Sequence, residues 1–222
     1  MNVTSVIHRY LCPGETLGEV LFGLIMVLTI TLGAFLLVAE EEVTAHKIVL
    51  AAVGCNLAWG VIDGVLFALG SLFERGRRRR FIHAIKNAGS EAKALAAIER
   101  EFDVEDASLR IQPEDGARLY RSILALYAHA KPVPSGFVLE DFISAIIVFA
   151  LVSSTALPGI LPFILLPNVH LALRASNAIL IILLFVVGYW WALYTEANPW
   201  RVGLSVVILG LSMVGVAIAL GG

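Results

Sequence analysis

Apolar residues fall into five long runs along the chain, divided by short polar breaks and one long one. A helix needs about 20 apolar residues to cross the hydrocarbon core, because each residue advances it only about 1.5 Å. Leu17 to Ala39 meets that length, with Glu19 near its start, and so does Ile48 to Phe73, with Asn56 and Asp63 inside it. The third run, Phe142 to Leu166, contains Pro158, Gly159 and Pro162. Prolines remove backbone donors, so a kinked helix or a re-entrant break is expected there. Ala175 to Thr195 closes on Tyr189, Trp190, Trp191 and Tyr194, the pattern of an interfacial aromatic belt. Val202 to Leu220 is the fifth run. The pattern predicts an all-α polytopic membrane protein with five transmembrane helices embedded in a lipid bilayer.

The long break between the second and third runs has a different rhythm. Phe81, Ile82 and Ile85 group together, Leu95, Ile98 and Phe102 recur at helical spacing, and Leu119, Ile123, Leu126 and Tyr127 form a third stripe. Ser90 is a predicted N-cap. Ile111 to Gly116, with Pro113 and Gly116, is an expected break, and Lys131 to Gly136, with Pro132 and Pro134, a stiff return. Two or three short amphipathic helices are expected, packed on one another or on a second subunit. The predicted organisation is residues 1–73 with spans one and two, 74–136 as a cytoplasmic helical insert, and 137–222 with spans three to five.

Composition sharpens this picture. The chain is 59% apolar and 15% charged, against about 45–50% and about 25% for soluble domains, which excludes a water-soluble globule. Twelve of the 16 Lys and Arg residues lie between Arg75 and Lys131. Arg75 and Arg77 to Arg80 follow the second run directly, whereas Glu40, Glu41 and Glu42 precede it. Basic residues favour the cytoplasmic side. The insert and the N-terminus are therefore expected inside, Gly222 outside, and the setting is expected to be a bacterial inner membrane. Met1 to Thr16 has no apolar stretch ending at a cleavage site, so the first run is read as a retained span.

Little in the chain suggests catalysis. There is no Gly-x-Ser-x-Gly elbow and no phosphate-cradling glycine loop. Cys12 and Cys55 form no metal-type pair, and the five histidines lack ligand spacing. The arginine run abuts a span, as a topology anchor near anionic lipid does, and no nucleic-acid module accompanies it. An enzyme, a permanently bound cofactor and a nucleic-acid partner are not expected.

Asp63 is the most informative residue. A charged side chain at mid-membrane costs about 2.5–3.5 kcal/mol, so it usually faces a wet cavity, a partner or a cation. Asn56 lies two turns earlier on the same face. The two either offer oxygen ligands along a path, or Asp63 is a protonated packing residue between Gly60 and Gly64. Glu19 and Met26 share a face of the first span, and Met26 is expected near the depth of Asp63. Carboxylate, thioether and carboxylate would suit iron or manganese. The alternatives are a snorkelling Glu19 and a core Met26. Glu99, Glu101, Asp103 and Glu105 form a weaker acidic cluster that would collect divalent cations.

The layout resembles the vacuolar iron transporter (VIT) family, most sharply at Leu157-Pro158-Gly159-Ile160-Leu161-Pro162-Phe163, which is similar to the Pro-rich end of that family's third span. Asp63-Gly64 in a glycine-rich span adds to the likeness. The resemblance implies five spans, an inside N-terminus, a cytoplasmic metal-binding helical domain, and a homodimer whose interface forms the ion path. It implies transport of divalent iron or manganese, with proton coupling an option. The family's repeated Glu-x-x-Glu pairs and methionines are missing from this insert. A non-transporting structural or regulatory protein on the same scaffold is the alternative. In a homodimer, Gly60 and Gly64 are expected to bring two second spans together around paired Asp63 carboxylates.

Overall fold

The computed structural model describes residues 7, 9–37, 44–102, 113–130 and 134–220. Eight helices are fully placed among these residues: α1 (Pro13–Leu37), α2 (Ala45–Lys86), α3 (Glu91–Phe102), α4 (Pro113–Ala128), α5 (Leu139–Ser154), α6 (Ala156–Leu165), α7 (Val169–Ala192) and α8 (Pro199–Ala219). No strand occurs among the described residues. Five spans are long and apolar enough to cross a bilayer: α1, α2, α5 with α6, α7, and α8. The chain divides into two compact units, Met1–Ala68 with Leu139–Gly222, and Leu69–Val138.

In the first unit α1 is central and packs on α5, α6, α7 and α8. Leu24, Val27 and Leu28 of α1 meet Leu180 and Leu184 of α7 and Val214 of α8 in its core. Small residues set the separations: a Cβ on Gly188 of α7 would lie 3.0 Å from the Cα of Gly203 on α8. Contacts fix the directions of the helices. Gly18 faces Trp191 and Thr31 meets Asn177, so α1 and α7 are antiparallel. Gly60 and Gly64 face Phe149 and Ala145, so α2 and α5 are antiparallel too. The start of α1, the Asp63 portion of α2, the start of α5 and the end of α7 consequently share one end of the bundle.

The second unit contains the last turns of α2 with α3 and α4. Ile85, Ala94 and Ile98 form its core, flanked by Phe81, Tyr120, Ile123 and Tyr127. Gly89, at φ +70°, reverses the chain after α2, a conformation that favours a residue without a Cβ. Ser90 then caps α3, its Oγ accepting from the Lys93 N–H at 3.4 Å.

Several helix boundaries differ from the sequence expectation, each for a local reason. α1 starts at Pro13, because proline suits the first helical position and Glu15 reaches back to accept from the Cys12 N–H at 2.8 Å. α2 runs on to Lys86 because no glycine or proline stops it after Phe73 except an isolated Gly76. α7 starts six residues before Ala175, where Asn168 Oδ1 accepts from the Leu171 N–H at 3.0 Å. α8 begins at Pro199 behind an equivalent Asn198 cap. Pro113 opens α4 and Gly116 lies inside it, so Gly116 is no break.

Candidate metal-path site

The third span breaks at Thr155, three residues before Pro158. Pro158 occupies the first turn of α6, where the missing N–H costs nothing. The break leaves α5 carbonyls short of helical partners, and side chains supply them. Thr155 Oγ1 donates to the Val152 carbonyl at 2.6 Å, and Ser154 Oγ to that of Leu151 at 2.8 Å.

Asn56 is fully buried at this break. Its Nδ2 donates to Thr155 Oγ1 at 2.8 Å, to the Val152 carbonyl at 3.1 Å and to the Gly23 carbonyl at 3.3 Å. Two amide hydrogens thus serve three acceptors on α1 and on the α5–α6 break. A Cβ at Gly23 would run into the Thr155 side chain, so glycine is what lets α1 approach. Asn56 clamps three elements together, while its Oδ1 is buried without a hydrogen-bond partner.

Asp63 lies seven residues further along α2, about 10 Å towards the end it shares with the start of α1. It is half-buried, and its Oδ2 is enclosed without a hydrogen-bond partner. Glu19 sits one turn before Gly23 on α1 and is half-buried. The Asn56–Gly23 bond and the Phe22–Trp59 ring contact set the register of antiparallel α1 and α2, which puts Glu19 and Asp63 at one level as a carboxylate rung. One turn further in, Phe22 and Trp59 make a second rung, edge to face, with ring centroids 5.7 Å apart and planes at 86°.

Met26 lies a further turn along α1 and packs beside Val148 and Val152. It is not level with Asp63 as the sequence suggests: the Asn56–Gly23 bond fixes the register, and Met26 stands on the far side of the aromatic rung. Gly60 and Gly64 also have a different place from the one expected. A Cβ on Gly64 would lie 2.7 Å from the Ala145 carbonyl, and one on Gly60 3.1 Å from that of Phe149. The pair serves α2–α5 packing within one subunit, which removes it as the contact between two second spans.

In the second unit Glu99 is exposed near the end of α3, and Glu101 lies 3.8 Å from the Arg77 guanidinium. Asp103 and Glu105 lie outside the described residues. Among the described residues, no three His, Cys, Asp or Glu side chains are grouped closely enough to hold a metal ion.

Three features escaped the sequence reading. Glu15 joins the carboxylate end, four residues before Glu19. Asp141, only 3% exposed, lies in the first turn of α5, one turn from the Ala145 that meets Gly64. A second polar node joins α1 to α7, where the Thr31 hydroxyl donates to Asn177 Oδ1 at 2.7 Å, and Ser176 Oγ donates to the Gly159 carbonyl of α6 at 2.7 Å. Thr31, Ser176 and Asn177 have a plain sequence signal, a polar residue inside an apolar run, whereas Glu15 and Asp141 stand just before a run, and nothing in one chain's spacing says which of these meet.

Five apolar spans with a carboxylate rung at one end of the bundle define an integral membrane protein of the polytopic α-helical class. The chain belongs to the VIT family, whose sequence model matches residues 73–222. That family moves metal ions across membranes, and its members are transporters. The match begins after Glu19, Met26, Asn56 and Asp63, so their assignment rests on geometry. No curated protein matches the chain.

Proposed function

We propose that the protein carries divalent iron or manganese across a bacterial inner membrane with protons as counter-ions, from a cytoplasmic face that bears the N-terminus and residues 74–136. The observation that carries this reading is the Glu19–Asp63 rung: two carboxylates level with each other on different helices, with one oxygen of Asp63 enclosed and unpartnered. Such a pair repels itself unless a cation or a proton lies between its members. Phe22 and Trp59 stand behind it as a barrier, with Met26 beyond them as a soft ligand for a transition metal.

In one copy the candidate ligands Glu19, Met26, Asn56 and Asp63 stand on α1 and α2, and a path needs ligands on several sides. A homodimer with these two helices along its axis doubles the set. The test is metal uptake by liposomes holding the purified protein and a metal-sensitive dye. Uptake of iron or manganese that Asp63→Asn abolishes supports the proposal. Flat fluorescence across iron, manganese, cobalt and zinc refutes it and favours a structural or regulatory role.

A further inference from the structure

The C-terminal turns of α2 carry a belt of basic side chains that the transport reading does not use. Between Glu74 and Asn87 stand Arg75, Arg77, Arg78, Arg79, Arg80 and Lys86, against the single carboxylate of Glu74. Three of these cations are already engaged. Arg75 Nη2 donates to the Gly136 carbonyl at 3.4 Å, Lys86 Nζ to that of Ala130 at 2.9 Å, and Arg77 faces Glu74 at 3.4 Å and Glu101 at 3.8 Å. Arg78, Arg79 and Arg80 are exposed and, among the described residues, form no ion pair.

Helix geometry gives the three a shared role. Consecutive residues are about 100° apart around an α-helix, so three in a row fan over more than half of its circumference. On one side Arg78 lines a cleft of about 510 Å³ with Phe81, Phe102 and Tyr127, bordered also by Glu74 and Glu101, both of which Arg77 faces. On the other, Arg79 and Arg80 line a shallow depression with His83 and Asn87, and no carboxylate borders it. Ile48 to Phe73 spans about 39 Å as a helix, close to the thickness of a bilayer with its headgroups. Arg78 stands five residues, or about 7.5 Å, beyond Phe73, and arginine side chains are long enough to reach back towards the headgroup layer.

We propose that Arg78, Arg79 and Arg80 bind the phosphates of anionic phospholipid headgroups, holding a ring of anionic lipid around α2. Guanidinium forks fit phosphate oxygens in paired, charge-assisted hydrogen bonds. Each arginine near an anionic surface is worth about a fivefold gain in affinity.

The test uses the full-length protein in nanodiscs of phosphatidylcholine with 20% phosphatidylglycerol, counting retained anionic lipids by native mass spectrometry after transfer to detergent. Wild type is expected to retain phosphatidylglycerol over phosphatidylcholine. The triple variant Arg78→Gln, Arg79→Gln, Arg80→Gln should lose that preference by at least about tenfold. Arg174→Gln, at the other end of the bundle, serves as the control and should keep it. Equal retention by the triple variant and wild type overturns the proposal. Displacement of the lipid by millimolar inorganic phosphate also overturns it, because the belt would then be a site for soluble phosphate.

Discussion

The side-chain amide of Asn56 donates to Thr155 Oγ1 at 2.8 Å, joining the second span to the third at the residue where the third span breaks. The break is thereby a built junction. Proline sits in the first turn of the new half-helix, threonine turns back to satisfy the old one, and asparagine ties both to α1 through the Gly23 carbonyl.

Asn56→Ala should lower stability by about 1–2 kcal/mol, the range for interhelical hydrogen bonds in membranes. Thermal unfolding in detergent measures it. A double-mutant cycle with Thr155→Val should return a coupling of about 0.6 kcal/mol or more, and additive losses would dissolve the clamp.

Glycines on α2 divide by what faces them. Gly64→Ala places a Cβ 2.7 Å from the Ala145 backbone carbonyl, whereas Gly54→Ala meets nothing within 4 Å. The first should destabilise by about 1–3 kcal/mol, as overpacking does. The second should be neutral or slightly stabilising, since alanine is the better helix former. The two melting temperatures should therefore move in different directions. If both fall equally, α2 does not approach α5 through Gly64.

Phe22 and Trp59 meet edge to face one turn from the carboxylate rung, where the proposed path needs a barrier. Trp59→Ala should raise the rate of metal leak through protein in liposomes above that of wild type, with the Asp63→Asn, Trp59→Ala double variant returning towards wild type. A leak rate unchanged by Trp59→Ala would show that the ring pair packs the bundle and bars nothing.

Sidedness is testable with single cysteines: Cys12 in a Cys55→Ser background and Leu220→Cys in a Cys12→Ser, Cys55→Ser background. The exposed Cys12 stands at the start of α1, at the end of the bundle shared with Asp63. A membrane-impermeant maleimide should label it from the cytoplasmic face, and Leu220→Cys from the opposite face. Labelling of both from one face would mean that α5 and α6 together do not complete a crossing.

The membrane class was legible from run length alone, because about 20 apolar residues have few other uses. The amphipathic insert was legible from spacing, and its Ser90 cap from residue type. Helix ends were less so: Asn168 and Asn198 look like ordinary loop residues until their side chains are seen to accept from the turn that follows. The candidate site was legible in part. Asp63, Glu19 and Asn56 stood out as polar groups in apolar runs. Their grouping did not, because it depends on how far α1 and α2 slide along each other. One hydrogen bond, Asn56 to Gly23, sets that register. It pairs Asp63 with Glu19 and leaves Met26 a turn beyond the aromatic rung. Gly60 and Gly64 show the same limit, since a small-residue pair announces close packing without naming the partner.

The central claim is that the Glu19–Asp63 rung receives the transported cation, and metal flux into dye-loaded liposomes tests it most directly. Glu19→Gln and Asp63→Asn keep the shape and remove one charge each. Each is expected to lower the initial rate of iron or manganese uptake by at least about tenfold, since a carboxylate a few ångströms from a cation contributes more than about 1.4 kcal/mol outside bulk water. Melting temperature should stay near that of wild type. Uptake at the wild-type rate by both variants, with the protein folded and inserted, would contradict the account.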